Sequence, residues 1–281
     1  RGVRAPAVNR AFGVVLWGAA VLTLGFLLVP IAAIFLRVPP GDLLDALGSP
    51  VARDALRVTV ATTLTAQTVI LVVGTPAAYL LATRRFRGRA LAITLVELPL
   101  VLPPAVAGIA LLAAFGRFGL LGETLSFFGL EVAFTRLAVV LAIVFVAGPF
   151  FLRTAIAAFE AVDGTLVDAS RTLGAGPART FARVALPLAS GGLGAGAALA
   201  FARGLGEFGA TIMFAGSLQG VTQTLSLAVY EQFDVNFDTA LAIGAELVAA
   251  SAALLLAVKL IPSWRSSTQS FPTPFARSTS S

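Results

Sequence analysis

The sequence contains no cysteine and no histidine. Disulfides, thiolate nucleophiles, Cys/His zinc sites and Ser-His or Cys-His catalytic pairs are thereby excluded. Acid–base chemistry is left to Asp, Glu, Lys, Arg and Tyr. Charge is scarce as well. Of 281 residues, 12% are charged and 58% hydrophobic, where soluble domains carry about 25% charged residues. That leaves too little polar surface to coat a water-soluble globule. No G-x-x-x-x-G-K-[ST] phosphate loop is present. Gly191-Gly192-Leu193-Gly194-Ala195-Gly196 lacks the Lys and lies in an apolar run, so the chain is not expected to hydrolyse ATP.

What is abundant is apolar sequence in long runs. About 20 apolar residues cross a bilayer as a helix, and six segments qualify: Phe12–Leu36, Val58–Ala82, Ala90–Ala114, Leu137–Leu152, Leu188–Ala215 and Ala240–Ile261. The fourth is short unless it continues past Arg153, and the fifth is interrupted by Arg203 and Glu207. The first is too long for a cleaved signal peptide, and no small-residue cleavage site clearly follows it. The expected fold is all-α and polytopic, with six transmembrane helices in a domain over 1–261. The last 20 residues, 262–281, hold 7 Ser, 3 Thr and 3 Pro and read as a disordered tail.

The basic residues orient the chain. One set of connections carries fourteen, in the groups around Arg4, Arg85, Arg171 and Lys259, and the other set carries five. Lys and Arg concentrate on the cytoplasmic side, which places both termini there. Topology thus accounts for the net charge of +6. Nucleic acid is not expected as a partner, because the basic residues lack interleaved stacking aromatics. Trp17 and Trp264 fall near cytoplasmic span ends, as belt aromatics do.

The longest internal connection, 153–187, reads as helix rather than slack loop. Apolar and small residues recur from Ile156 to Leu173. Gly174-Ala175-Gly176-Pro177 then breaks the pattern, with Gly suited to a helix end and Pro to the next first turn. A short second helix over Ala178–Val184 is expected before Leu186-Pro187. Asp168-Ala169-Ser170, three residues, Gly174, nine residues, then Val184-Ala185-Leu186-Pro187 resembles the signature of permease subunits of binding-protein-dependent ABC importers. In place of the usual Glu, Ala and Ile stand Asp168, Ser170 and Val184. The resemblance implies a coupling helix docking into a separate ATPase, with Asp168, Ala169, Ser170, Gly174, Ala175, Gly176, Pro177, Ala178, Arg179, Leu186 and Pro187 as coupling residues. An ordinary amphipathic surface loop is the alternative.

Two spans carry further features. In the fifth, Gly192, Gly196, Ala200 and Gly204 recur every four residues, a spacing that lets helices approach closely. Arg203 and Glu207 stand one turn apart and can pair. Intramembrane charges face a bundle interior or a wet cavity, so the pair either borders an anion path or is a structural ion pair. In the third, Pro99, Pro103 and Pro104 kink or break the helix, which lipid tolerates where a cavity or protein re-satisfies the backbone. The reading is a gate or a bent packing helix. Glu97 can pair with Arg203 or bind polar backbone, and Glu246 has no assigned role.

The stretches Glu97–Gly108 and Arg203–Gly216 resemble molybdate-type permeases, and the second is similar to sulfate permeases as well. The likeness covers roughly residues 56–261. It implies a type I importer permease in a prokaryotic cell membrane. The partners implied are a second copy of the chain, two cytoplasmic ABC ATPases that bind ATP and Mg, and an extracytoplasmic oxyanion-binding protein. No cofactor or metal is expected in this chain. The translocation path or gate is assigned to Pro103, Pro104, Arg203, Glu207 and Thr211. Molybdate leads as substrate, with tungstate or sulfate as alternatives. An ion-coupled secondary transporter using Glu97, Glu207, Glu246 and Arg203 is the rival class.

Overall fold

The computed structural model describes residues 10–260, which are helical and without strands. The helices are α1 (Arg10–Arg37), α2 (Pro40–Leu47), α3 (Pro50–Thr83), α4 (Arg89–Val101), α5 (Pro104–Phe115), α6 (Gly122–Phe127), α7 (Arg136–Glu160), α8 (Gly164–Thr172), α9 (Pro177–Thr180), α10 (Leu186–Leu205), α11 (Gly209–Ala215), α12 (Leu225–Phe233) and α13 (Phe237–Leu260). A π-helical turn, Phe181–Ala185, joins α9 to α10.

The bundle is built round α7. Its buried residues include Ala138, Ile143, Ala147, Phe151, Ala155 and Phe159, which point to more than one side of the helix. It packs on α3, α10, α11 and α4. Small residues make the α10 contact close. A Cβ on Gly192 would lie 2.5 Å from Ala158 Cβ, and one on Gly204 would lie 2.9 Å from Ile143 Cγ2. The four-residue stripe is therefore a packing surface for α7. At the other extreme, no residue of Phe12–Arg37 is buried.

Local sequence explains the boundaries. Ser49 caps α3 by accepting the Ala52 N–H, with Pro50 in the first turn. Thr135 caps α7 through the Ala138 N–H. Past the end of α5 the chain doubles back, so that Leu120 and Leu121 N–H donate to the Ala113 and Ala114 carbonyls at 2.8 and 2.9 Å. Those last-turn carbonyls would otherwise lack partners.

Three of the expected spans change shape. Four helices are long and apolar enough to cross a membrane, or five if a bent pair counts as one, so six is not reached by this measure among the described residues. The bent pair is the third span, in which α4 and α5 meet at 117°. The cause is local: proline pushes its predecessor into extended backbone, and Leu102 and Pro103, each followed by proline, have ψ of 134° and 133°. The fourth span does continue past Arg153, to Glu160. The fifth ends early, at Leu205, and resumes as α11 after Gly206–Phe208. It also begins early. Pro177–Leu205 is one helix of 29 residues, so the short helix expected over Ala178–Val184 is present but runs on through the π turn into α10. The sixth expected segment falls on α13, while Ile261 and the tail 262–281 lie outside the described residues.

Candidate translocation path and coupling elbow

The two breaks meet. A Cβ on Gly209 would come within 2.7 Å of Pro104 Cβ, and one on Gly108 within 2.6 Å of the Ala210 carbonyl oxygen. Glycine at both places lets α5 and α11 lie against each other. Beside this contact is a cavity of about 350 Å³ lined by Pro104, Ala105, Arg203, Gly206, Glu207, Phe208 and Gly209. Of the five path residues expected from sequence, Pro104, Arg203 and Glu207 line it. Pro103 is exposed at the N-cap of α5. Thr211 is fully buried on α11, its hydroxyl without a hydrogen-bond partner among the described residues.

Glu207 is held on three sides. Its Oε1 accepts the Ala210 N–H at 2.7 Å, capping α11. Its Oε2 lies 2.7 Å from Arg203 Nη2. Its carbonyl accepts the Ser226 hydroxyl at 2.7 Å. The Glu207 side chain is 1% exposed and that of Arg203 25%, so the cation alone of the pair reaches the open side. Arg203 is thus neutralised by an anchored carboxylate. Glu97 has a different partner from the one expected, Arg153 of α7 at 3.7 Å. Glu246 remains without an assigned role.

Sequence reasoning missed the polar run that supports this break. Thr224 and Ser226 hydroxyls are 3.0 Å apart, and Thr59 of α3 accepts the Leu225 N–H at 2.8 Å. Gln223 donates to Glu231. Tyr230 of α12 packs on Phe208, ring centres 5.1 Å apart. The cluster Thr222-Gln223-Thr224 and Ser226 between apolar runs was the available signal.

The signature residues form an elbow. Asp163 caps α8, its carboxylate accepting the Thr165 N–H at 2.9 Å and the Thr165 hydroxyl at 2.8 Å. Those two bonds hold the Asp163 carboxyl below its ordinary value. The other end closes by a Schellman motif, with Ala175 N–H donating to Ser170 O at 3.0 Å and Gly174 N–H to Arg171 O at 2.9 Å. Gly174 has φ +83°, a left-handed turn that glycine adopts without penalty. Across the bend the Ser170 and Thr180 hydroxyls are 3.0 Å apart. Asp168, Ala169, Gly174, Gly176, Pro177, Ala178 and Arg179 are exposed, and Ala175 half-buried. Asp168 has Arg171 at 3.5 Å, and Leu173 is 88% exposed at the tip.

Pro187 explains the π turn. An α-helix would direct the Arg183 carbonyl at the nitrogen of residue 187, which has no N–H and whose ring clashes there. The chain widens instead, and Leu186 N–H bonds five residues back to Phe181 O. The elbow, the π turn and α10 thus form a continuous run from the signature to Arg203.

Residues 71–264 match the family model of the binding-protein-dependent transport system inner membrane component. The molybdenum transport system permease protein ModB of Mycobacterium tuberculosis is 42% identical over 241 residues, 85% of this chain and 90% of that protein. The sulfate transport system permease protein CysT of Escherichia coli is 35% identical, covering 84% and 87%. Among solved structures, a chain of a bacterial alginate ABC transporter, in complex with an alginate pentasaccharide-bound periplasmic protein, superposes with TM-score 0.72 at 15% identity, covering 90% of this chain and 93% of that one.

Proposed function

Since the chain belongs to the binding-protein-dependent transport system inner membrane components, we propose that it is the pore-forming subunit of an ATP-driven importer for a tetrahedral oxyanion, molybdate first. The relatives named for molybdenum and sulfate transport support that class of substrate. The pore lies between two copies of the chain, both termini face the cytoplasm, and an extracytoplasmic binding protein delivers the anion. ATP and Mg are bound by two separate ATPase subunits, since this chain brings no phosphate loop.

The observation that carries the reading is the join between elbow and cavity. The exposed Gly174 bend is followed directly by the continuous helix Pro177–Leu205, which carries Arg203 to the cavity. An ATPase holding the elbow therefore acts on the helix beside the path. ATP binding favours one of two arrangements only if the partner grips them differently, and a stiff elbow makes that difference felt far into the membrane. The cavity suits passage rather than storage. Arg203 offers a dianion positive potential, while the anchored Glu207 keeps the site near neutral and so prevents tight capture.

The test is reconstitution in vesicles with the ATPase and binding protein. ATP-dependent uptake of labelled molybdate, competed by tungstate more than by sulfate, is expected. Sulfate competing best would move the assignment to the sulfate branch. Uptake that survives ATP depletion but collapses with the proton gradient would establish the secondary transporter instead.

A further inference from the structure

Three aromatic rings from three separate elements meet where the elbow joins the bundle. Tyr79 lies in the last turns of α3, Phe159 near the end of α7, and Phe181 opens the π turn. The ring centres are 4.8 Å apart for Tyr79 and Phe181, 5.2 Å for Tyr79 and Phe159, and 6.2 Å for Phe159 and Phe181. All three fall in the range of attractive ring contacts. The elbow is fastened to this triangle from the other side, because Thr180, buried to 1% exposure, directly precedes Phe181 and shares a hydrogen bond with Ser170 of α8.

We propose that Phe181, Tyr79 and Phe159 form the bearing on which the elbow turns the spans, acting as positioning residues for coupling. The proposal rests on the reading of the chain as an ATP-coupled permease. Ring contacts have no fixed hydrogen-bond direction, so they can roll without a bond being broken. The π turn that Phe181 opens coincides with this meeting point, and such turns concentrate at functional sites. There is also room to move. A cavity of about 490 Å³ adjoins the triangle, lined by Tyr79 and Phe159 together with Arg85 of the basic turn and Val167 and Arg171 of α8. Motion at the bearing reaches four spans. Tyr79 carries it to α3, Phe159 to α7 and the continuous helix to α10. Glu160, next to Phe159, passes it to α4 through its ion pair with Arg89.

The test uses the whole complex of permease, ATPase and binding protein in vesicles, with labelled molybdate as probe, and reads anion moved per ATP hydrolysed. Phe181→Ala is expected to keep the ATPase bound and hydrolysing while this ratio falls about tenfold, an ordinary magnitude for coupling between sites. Phe181→Tyr restores a ring and is expected to restore the ratio. A merely structural contact would instead lower uptake and hydrolysis in proportion, or leave the ratio unchanged, and either result overturns the proposal. If Phe181→Ala fails to assemble, Phe181→Leu, which refills most of the volume without a ring, is read by the same criteria. A wild-type complex without ATP-driven uptake refutes the permease reading itself, whatever the variants do.

Discussion

Arg203 and Glu207 are a pair whose two members are not equivalent. Glu207 is buried and bonded to the backbone, while Arg203 is partly open to the cavity. Arg203→Ala strands a buried carboxylate, with a cost on the order of 3 kcal/mol, expected as a lower unfolding temperature in detergent. Arg203→Ala with Glu207→Gln removes both charges and keeps an acceptor for the Ala210 N–H, so most of that stability returns. Uptake does not return if Arg203 supplies the potential felt by the anion. Recovery of both would reduce the pair to a structural role. Asp163 gives a pH-dependent case. Its carboxyl pKa is lowered in the folded chain, so its contribution is present above the ordinary value of 3.8 and is lost as pH falls through the lowered one. A spin label at Ala169 is expected to become more mobile as the pH is taken below 3.8, and Asp163→Asn to abolish that dependence. The Arg203–Glu207 pair was legible from four-residue spacing alone. The hold of Ser226 on Glu207 was not, because nineteen residues separate them and only the return of the chain through α12 brings them together.

At the scale of elements, glycine sets two geometries for different reasons. Gly174 has open space round its Cα but a positive φ, so Gly174→Ala strains the backbone alone, by about 1–2 kcal/mol. Gly174→Asn is expected to be milder. Thermal unfolding together with ATPase binding by the variants checks both. Gly108 has ordinary backbone but no room, since a Cβ would meet the Ala210 carbonyl and Met213 Cβ at 2.6 and 2.7 Å. Gly108→Ala is expected to part α5 from α11 and cost about 1–3 kcal/mol. Met213→Ala is not expected to rescue it, because both obstacles remain, the Ala210 carbonyl and the Cβ that alanine keeps; restored stability in the double variant would refute this account of the contact. The proline break in the third span was legible, since two adjacent prolines cannot continue a helix. Its angle and its partner were not, because both depend on α11 packing against α5.

For the molecule as a whole, the natural absence of cysteine makes topology directly measurable. A single cysteine at Leu173, exposed at the elbow, is expected to react with an impermeant maleimide from the cytoplasmic side only. One at Phe118, 98% exposed beyond α5, is expected to react from outside only. The reverse pattern would invert the orientation drawn from the Arg and Lys distribution and place the elbow out of reach of any ATPase. The all-helical class and the membrane location were legible from composition because lipid demands apolar helices that satisfy their own backbone. The span count was less so. Hydropathy does not distinguish a straight helix from one broken at Pro103 or at Gly206.

The sequence alone thus determined the chemistry excluded, the helical class, the side-to-side charge bias and the elbow spacing, since each depends on residues near one another in the chain. Only the tertiary structure decided that the breaks of the third and fifth spans face each other, that Arg153 rather than Arg203 meets Glu97, and that three rings join the elbow to the bundle. Those are contacts between distant segments, set by which small residues permit close approach, and no local pattern encodes them.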